Sequence, residues 1–132
     1  MREIKFRAWD KKSNQMLYSR FGIDFEGQII DVGNPMEYDY DGQWDLILMQ
    51  YTGLKDKNGV EIYESDIIKW EDDYNEGVSK VVWGNDENTY PAFDLEPQSH
   101  DELNSFAALS YEGSMEVIGN VWENPELLKE QS

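Results

Sequence analysis

The segment Glu37-Tyr38-Asp39-Tyr40-Asp41-Gly42-Gln43-Trp44-Asp45 is the part of this chain whose residue types come nearest to holding a metal ion. Laid on the helix-loop-helix calcium loop, Asp39, Asp41 and Gly42 take its third, fifth and sixth positions, and Asp45 takes its ninth. The match then breaks. Glu37 stands where an Asp opens the loop, and Leu48 stands where a bidentate Glu must close the coordination shell. No helical pattern flanks the segment, so an acidic surface loop is the expectation, with Asp39, Asp41 and Asp45 as weak candidate ligands.

Ser99-His100-Asp101 carries the three letters of a hydrolase triad. Consecutive residues diverge by about 100° on a helix or point to opposite faces of a strand, so these three side chains do not converge. Ser99 with Glu102 reads instead as a capping box, and His100, the only imidazole, as an exposed residue at a helix start. With 28 Asp and Glu in the chain, carboxylate pairs arise everywhere by chance and none is singled out for acid–base work. Gly27, Gly33 and Gly42 lack the spacing of phosphate-cradling loops, and with no Cys there is neither a thiol nucleophile nor a thiolate metal site. No catalytic residue and no cofactor are expected.

The charge is −17 at pH 7 over 132 residues, and it is unevenly placed. Residues 1–20 hold six basic side chains against two acids, so the rest of the chain carries −21. Phosphate neutralisation supplies most of the affinity for nucleic acid, and this surface repels phosphate; direct binding to nucleic acid or to an anionic membrane is not expected. Eighteen Phe, Trp and Tyr residues argue against a disordered acidic chain. The charged start, MREIKFRAW, and the lack of any apolar run near the ~18 residues of a membrane span point to a cytoplasmic protein. The length suits one domain, residues 1–132, with a soft boundary near residue 50.

Apolar residues recur mostly with a period of two, the signature of strands. In Glu3–Trp9, Ile4, Phe6 and Ala8 point one way and Lys5, Arg7 and Trp9 the other; Met16–Tyr18 completes a hairpin. A second hairpin is expected from Ile23–Phe25 and Ile29–Val32, and the apolar run Trp44–Thr52 reads as a buried strand. Asn58-Gly59 fits two successive positive φ values and gives the strongest hairpin signal. Further strands are expected at Asp66–Trp70, Val78–Trp83, Ala92–Leu95 and Met115–Trp122, with Glu71-Asp72-Asp73 as a solvated connection. Gly119 inside a strand pattern points to a bulge or a close backbone approach. Short helices are expected over His100–Leu109 and after Asn124-Pro125, with Asn124 as the cap. The fold class is thus mainly β with a minor α part, built from antiparallel hairpins. By analogy with the entry of SH3-like barrels, Asp66 caps a loop amide, Ile67 and Ile68 face the core, and the second half forms a small barrel.

IKFRAWD (Ile4–Asp10), QYTGLKDKNGVEIYESDIIKW (Gln50–Trp70) and EVIGNVWENPELL (Glu116–Leu128) together resemble the YopX family of phage and prophage proteins. The resemblance implies a mostly β protein of temperate phage origin and supplies no activity or catalytic residue. One departure is visible: Ser65 stands where the family usually reads Gly before Asp-Ile, and a turn needing positive φ there would carry a steric cost.

Three functions follow. The first is a non-enzymatic module that binds an unknown protein partner of basic character, with Tyr38, Tyr40 and Trp44 as aromatic anchors among Asp39, Asp41 and Asp45, and with Glu71, Asp72 and Asp73 as further contacts. Self-association through sheet edges or aromatic faces accompanies it. The second is a DNA mimic that uses the same six acids as imitation phosphates against a basic nucleic-acid-binding protein. The third is a hydrolase or nuclease working with carboxylates and Mg²⁺.

Overall fold

Strands dominate because apolar residues alternate between short polar turns, and a computed structural model shows where each strand runs. It describes residues 4–18, 21–23, 29–31, 46–83, 92–97 and 105–129. The chain divides into two compact units, one of Ile4–Gln50 and one from Tyr51 onward, with the division inside a ten-residue strand.

In the first unit, β1 (Phe6–Asp10) pairs antiparallel with β2 (Gln15–Leu17) and with the leading half of β5 (Leu46–Lys55). The β1–β2 turn is drawn in by Asp10, whose Oδ1 accepts the Lys12 N–H at 3.0 Å and whose Oδ2 accepts the Ser13 hydroxyl at 2.8 Å. The one-sided alternation expected for β1 is corrected here: Arg7, Ala8 and Trp9 are all buried, while Ile4 is exposed. Successive side chains of a strand point to opposite faces, so three consecutive buried residues mean that both faces of β1 are covered. β3 (Phe21–Ile23) and β4 (Ile29–Asp31) form the second antiparallel pair, with β3 starting two residues before its expected position.

In the second unit, the trailing half of β5 pairs with β6 (Glu61–Tyr63), and the rings of Tyr51 and Tyr63 lie 5.4 Å apart. The Thr52 hydroxyl donates to the Ile62 carbonyl at 2.7 Å and accepts the Leu54 N–H, tying the two strands where their register slips. A four-stranded antiparallel sheet follows in the order β10-β7-β8-β9, made of Ser114–Asn120, Asp66–Glu71, Glu76–Trp83 and Phe93–Glu96. The small barrel expected in this half takes the form of this half-barrel, with α1 (Ser105–Glu112) and α2 (Glu126–Lys129) beside it. Ile62, Ile68, Trp70, Val81, Phe93, Leu95, Phe106, Leu109 and Met115 form its core. Each buried Ile, Leu or Phe contributes about 1.5–3 kcal/mol relative to exposure, so these side chains dominate the stability of the unit.

Asp66 is buried and its Oδ2 accepts the Tyr63 N–H at 2.8 Å, while Ile67 and Ile68 are both fully buried on opposite faces of β7. Ser65, just before it, has φ +72°, the left-handed conformation that glycine adopts more cheaply. At Gly119 the expected bulge is present, with the β10–β7 register shifting between Val117 and Gly119, and the Asn124 side chain lies so close that a Cβ there would sit 2.5 Å from its Oδ1. That oxygen accepts the Asn120 N–H, so the Asn124 side chain turns back to the strand, and only its carbonyl serves α2, taking the Leu127 N–H.

The described helix α1 ends three residues beyond the expected Leu109. Its Ser105 N–H is received by buried Asp94 of β9, whose Oδ1 also takes the Leu95 N–H. The expected capping box at Ser99–Glu102, with His100, lies outside the described residues. Among the described residues no helix is long and apolar enough to cross a membrane.

Candidate functional site

Of the residues singled out by sequence, Tyr38, Tyr40, Trp44, Asp39, Asp41 and Asp45 lie outside the described residues. Glu71, Asp72 and Asp73 are described, and they form the tip of the β7–β8 hairpin. Asp72 builds the turn: its Oδ1 accepts the Tyr74 N–H at 2.8 Å and the Asn75 N–H at 2.7 Å, and its own N–H donates to the Asn75 carbonyl at 2.8 Å. One oxygen of Asp72 is therefore held by backbone, whereas Glu71, Asp73 and Glu76 stand exposed.

The consequence of this turn is the position of Tyr74. Its side chain is 92% exposed, the most exposed large hydrophobic residue of those described. Glu71 and Glu76 are direct cross-strand partners at the base of the tip, a like-charge pairing that costs stability in a sheet. An exposed tyrosine in a turn that also carries exposed Glu71, Asp73 and Glu76 combines an apolar body, a polar end and a negative neighbourhood. Sequence reasoning took Glu71-Asp72-Asp73 as a solvated connection and passed over Tyr74. The signal was partial: an Asp that bonds backbone N–H groups two and three residues on marks a turn, and a residue at the tip of a turn is exposed.

The other aromatic residues expected at strand ends divide between roles. Trp70 is buried and its Nε1–H donates to the Ser79 hydroxyl at 3.1 Å. Trp83 is about half exposed and meets Phe93 edge to face with ring centres 4.8 Å apart. Trp122 lies in the turn beyond β10, so the strand ends earlier than expected, at Asn120.

A shallow cavity of about 240 Å³ opens between the β5–β6 loop and the start of β10, floored by Leu109 and Met115 and rimmed by Leu54, Lys55 and Lys57. Asp56 beside it has a clearly displaced ionisation. Desolvation pushes its carboxyl up, but N–H donors from Val117, Val60 and Asn58, with the Lys57 charge, outweigh burial and hold it below the ordinary value of 3.8. Oδ1 accepts the Asn58 and Val60 N–H groups at 2.8 and 2.9 Å, and Oδ2 accepts the Val117 N–H at 2.9 Å. A carboxylate so engaged organises backbone and is poorly placed to move a proton on a substrate. Gly59 has φ +83°, but Asn58 does not share it: among the described residues other than glycine, only Asn14 and Ser65 have positive φ. The Asn-Gly turn expected from sequence is thus an Asp56-centred turn. Among the described residues no three His, Asp or Glu side chains gather to hold a metal ion.

The YopX protein family model matches residues 5–129. The chain is similar to the crystal structure of protein EF1440 from Enterococcus faecalis, at 27% identity and a TM-score of 0.66, covering 97% of this chain and 99% of that one. It is also similar in fold to the crystal structure of protein yopX from Bacillus subtilis, at 21% identity and a TM-score of 0.51, covering 96% and 98%. No curated protein matches it. A family match over nearly the whole chain, joined to a shared fold over nearly the whole length of both neighbours, makes this chain a member of the YopX family.

Proposed function

We propose that this chain is a cytoplasmic phage or prophage accessory protein that binds a basic protein through the β7–β8 tip and catalyses no reaction. The observation that carries the reading is Tyr74, 92% exposed and set by the Asp72 turn among exposed Glu71, Asp73 and Glu76. An arginine side chain of the partner stacks on the ring while its charge meets the carboxylates, and it relieves the repulsion between Glu71 and Glu76. The phage context comes from the family resemblance, and the net charge of −17 favours a partner of opposite sign.

The test is retention of host-lysate proteins at low salt on the immobilised full chain, on Tyr74→Ala and on Asp73→Lys. The reading expects a basic protein held by the wild type, released as salt rises because exposed charges are screened over about 8 Å at physiological ionic strength, and lost from both variants. Retention of the same protein by all three, or of none by the wild type, would overturn it.

A further inference from the structure

Sheet edges invite pairing with further strands, and the two ends of the β10-β7-β8-β9 sheet are treated differently. At one end, β9 is covered by α1, whose Ser105 N–H shares Asp94 Oδ1 with the Leu95 N–H. At the other, β10 has one strand neighbour among the described residues, β7, and the β5–β6 loop bonds to its outer side.

Two bonds make that meeting. The Lys57 N–H donates to the Met115 carbonyl at 3.0 Å, and the Val117 N–H donates to Asp56 Oδ2 at 2.9 Å. A neighbouring strand would bond this carbonyl and this N–H, two residues apart, in the same way. Here one partner is a true backbone N–H, and the other is a side-chain oxygen standing where a strand would offer its carbonyl. Lys57 and Glu116 add an ion pair of 3.7 Å over the same junction, with both side chains well exposed.

We infer that Asp56 and Lys57 act as an edge guard: they occupy the outward backbone groups of β10 and keep that edge from pairing with the β10 edge of a second copy of this chain. The second copy is the occupant because an antiparallel strand edge is complementary to itself about a two-fold axis, so one exposed edge is sufficient for both partners. The guard is a short loop whose residues Lys57–Val60 are exposed, which makes it the more easily displaced of the two edge covers.

Lys57→Pro tests this with little risk to the fold. Gly59 N–H donates to the Asp56 carbonyl, so Asp56 and Lys57 are the first and second residues of a four-residue turn, and proline suits the second position while deleting the N–H given to Met115. Asp56→Ala removes the other contact. Light scattering across a concentration series and amide exchange at Val117 are the readouts, each compared with the wild-type full chain. The inference expects both variants to gain a species of twice the wild-type mass as concentration rises, with Val117 exchange at least tenfold faster than wild type in dilute solution and slowed again in the larger species. Adding Val117→Pro to either variant should abolish the gain. Wild-type mass at every concentration for a folded Lys57→Pro would overturn it, as would a doubled mass that survives Val117→Pro.

Discussion

The β5–β6 loop and the β7–β8 tip are both turns led by an aspartate that gathers backbone N–H groups on one oxygen. Asp56 collects those of residues 58 and 60, and Asp72 those of residues 74 and 75. What separates them is where each turn lies. The second oxygen of Asp56 takes the Val117 N–H from sixty-one residues away and draws the loop onto β10, whereas the turn that Asp72 leads carries the exposed Tyr74. The same local chemistry thus closes the sheet in one place and displays a ring in another. In so acidic a chain, the position of a carboxylate relative to the core decides whether it holds the fold or faces solvent.

The largest break in that comparison should come from Asp56→Ala. It leaves a part-buried Val117 N–H without its acceptor and unties the turn, a loss of about 3 kcal/mol given ~1.5–3 kcal/mol for a bond to a charged acceptor, read from urea denaturation at pH 7. Asp72→Ala removes two bonds of an open turn whose N–H groups turn to water, and should cost about 1 kcal/mol, as loss of an exposed helix cap does. Equal losses for the two would erase the distinction between them.

Acid sharpens the same contrast. Because the Asp56 carboxyl is held below 3.8 in the folded chain, its contribution is full above that value and is lost as pH falls through the lower, folded-state value. Urea midpoints between about pH 5 and 2 should therefore fall less steeply for Asp56→Ala than for the wild type. Parallel curves would contradict this.

A third turn gives a smaller effect of opposite sign. Ser65→Gly places the residue that tolerates φ +72° most readily, and should stabilise by about 0.5–1 kcal/mol, offset in part by the greater freedom of glycine in the unfolded chain. The smallest change in stability belongs to Tyr74→Ala, within about 0.5 kcal/mol, because an exposed ring away from core and caps holds little. Its thermal midpoint should match the wild type even as partner retention is lost.

Much of the fold was legible because period-two apolar spacing and turn residues act locally. The strands β7 and β8 were read from neighbouring residues, the Asp66 cap by analogy with SH3-like barrel entries, and the strain at Ser65 from the family resemblance. What escaped reading depends on distant partners. Burial on both faces of β1 is set by packing that local polarity does not encode, and the shape of the Asn58-Gly59 turn follows from Asp56 and Val117. Asn124 turned back to Asn120 because β10 bulges at Gly119. The site was half legible: Glu71, Asp72 and Asp73 stood out by charge, but Tyr74 is marked only by the turn that raises it.

Amide hydrogen exchange on the full-length chain, comparing Val117 with Asp73 and Tyr74, tests the central contrast most directly. The account predicts that Val117, though on the outer side of an edge strand, exchanges with the core strands and roughly a hundredfold or more slower than the tip, since opening it requires undoing the Asp56 contacts. Val117 exchanging as fast as Asp73 and Tyr74 would contradict it.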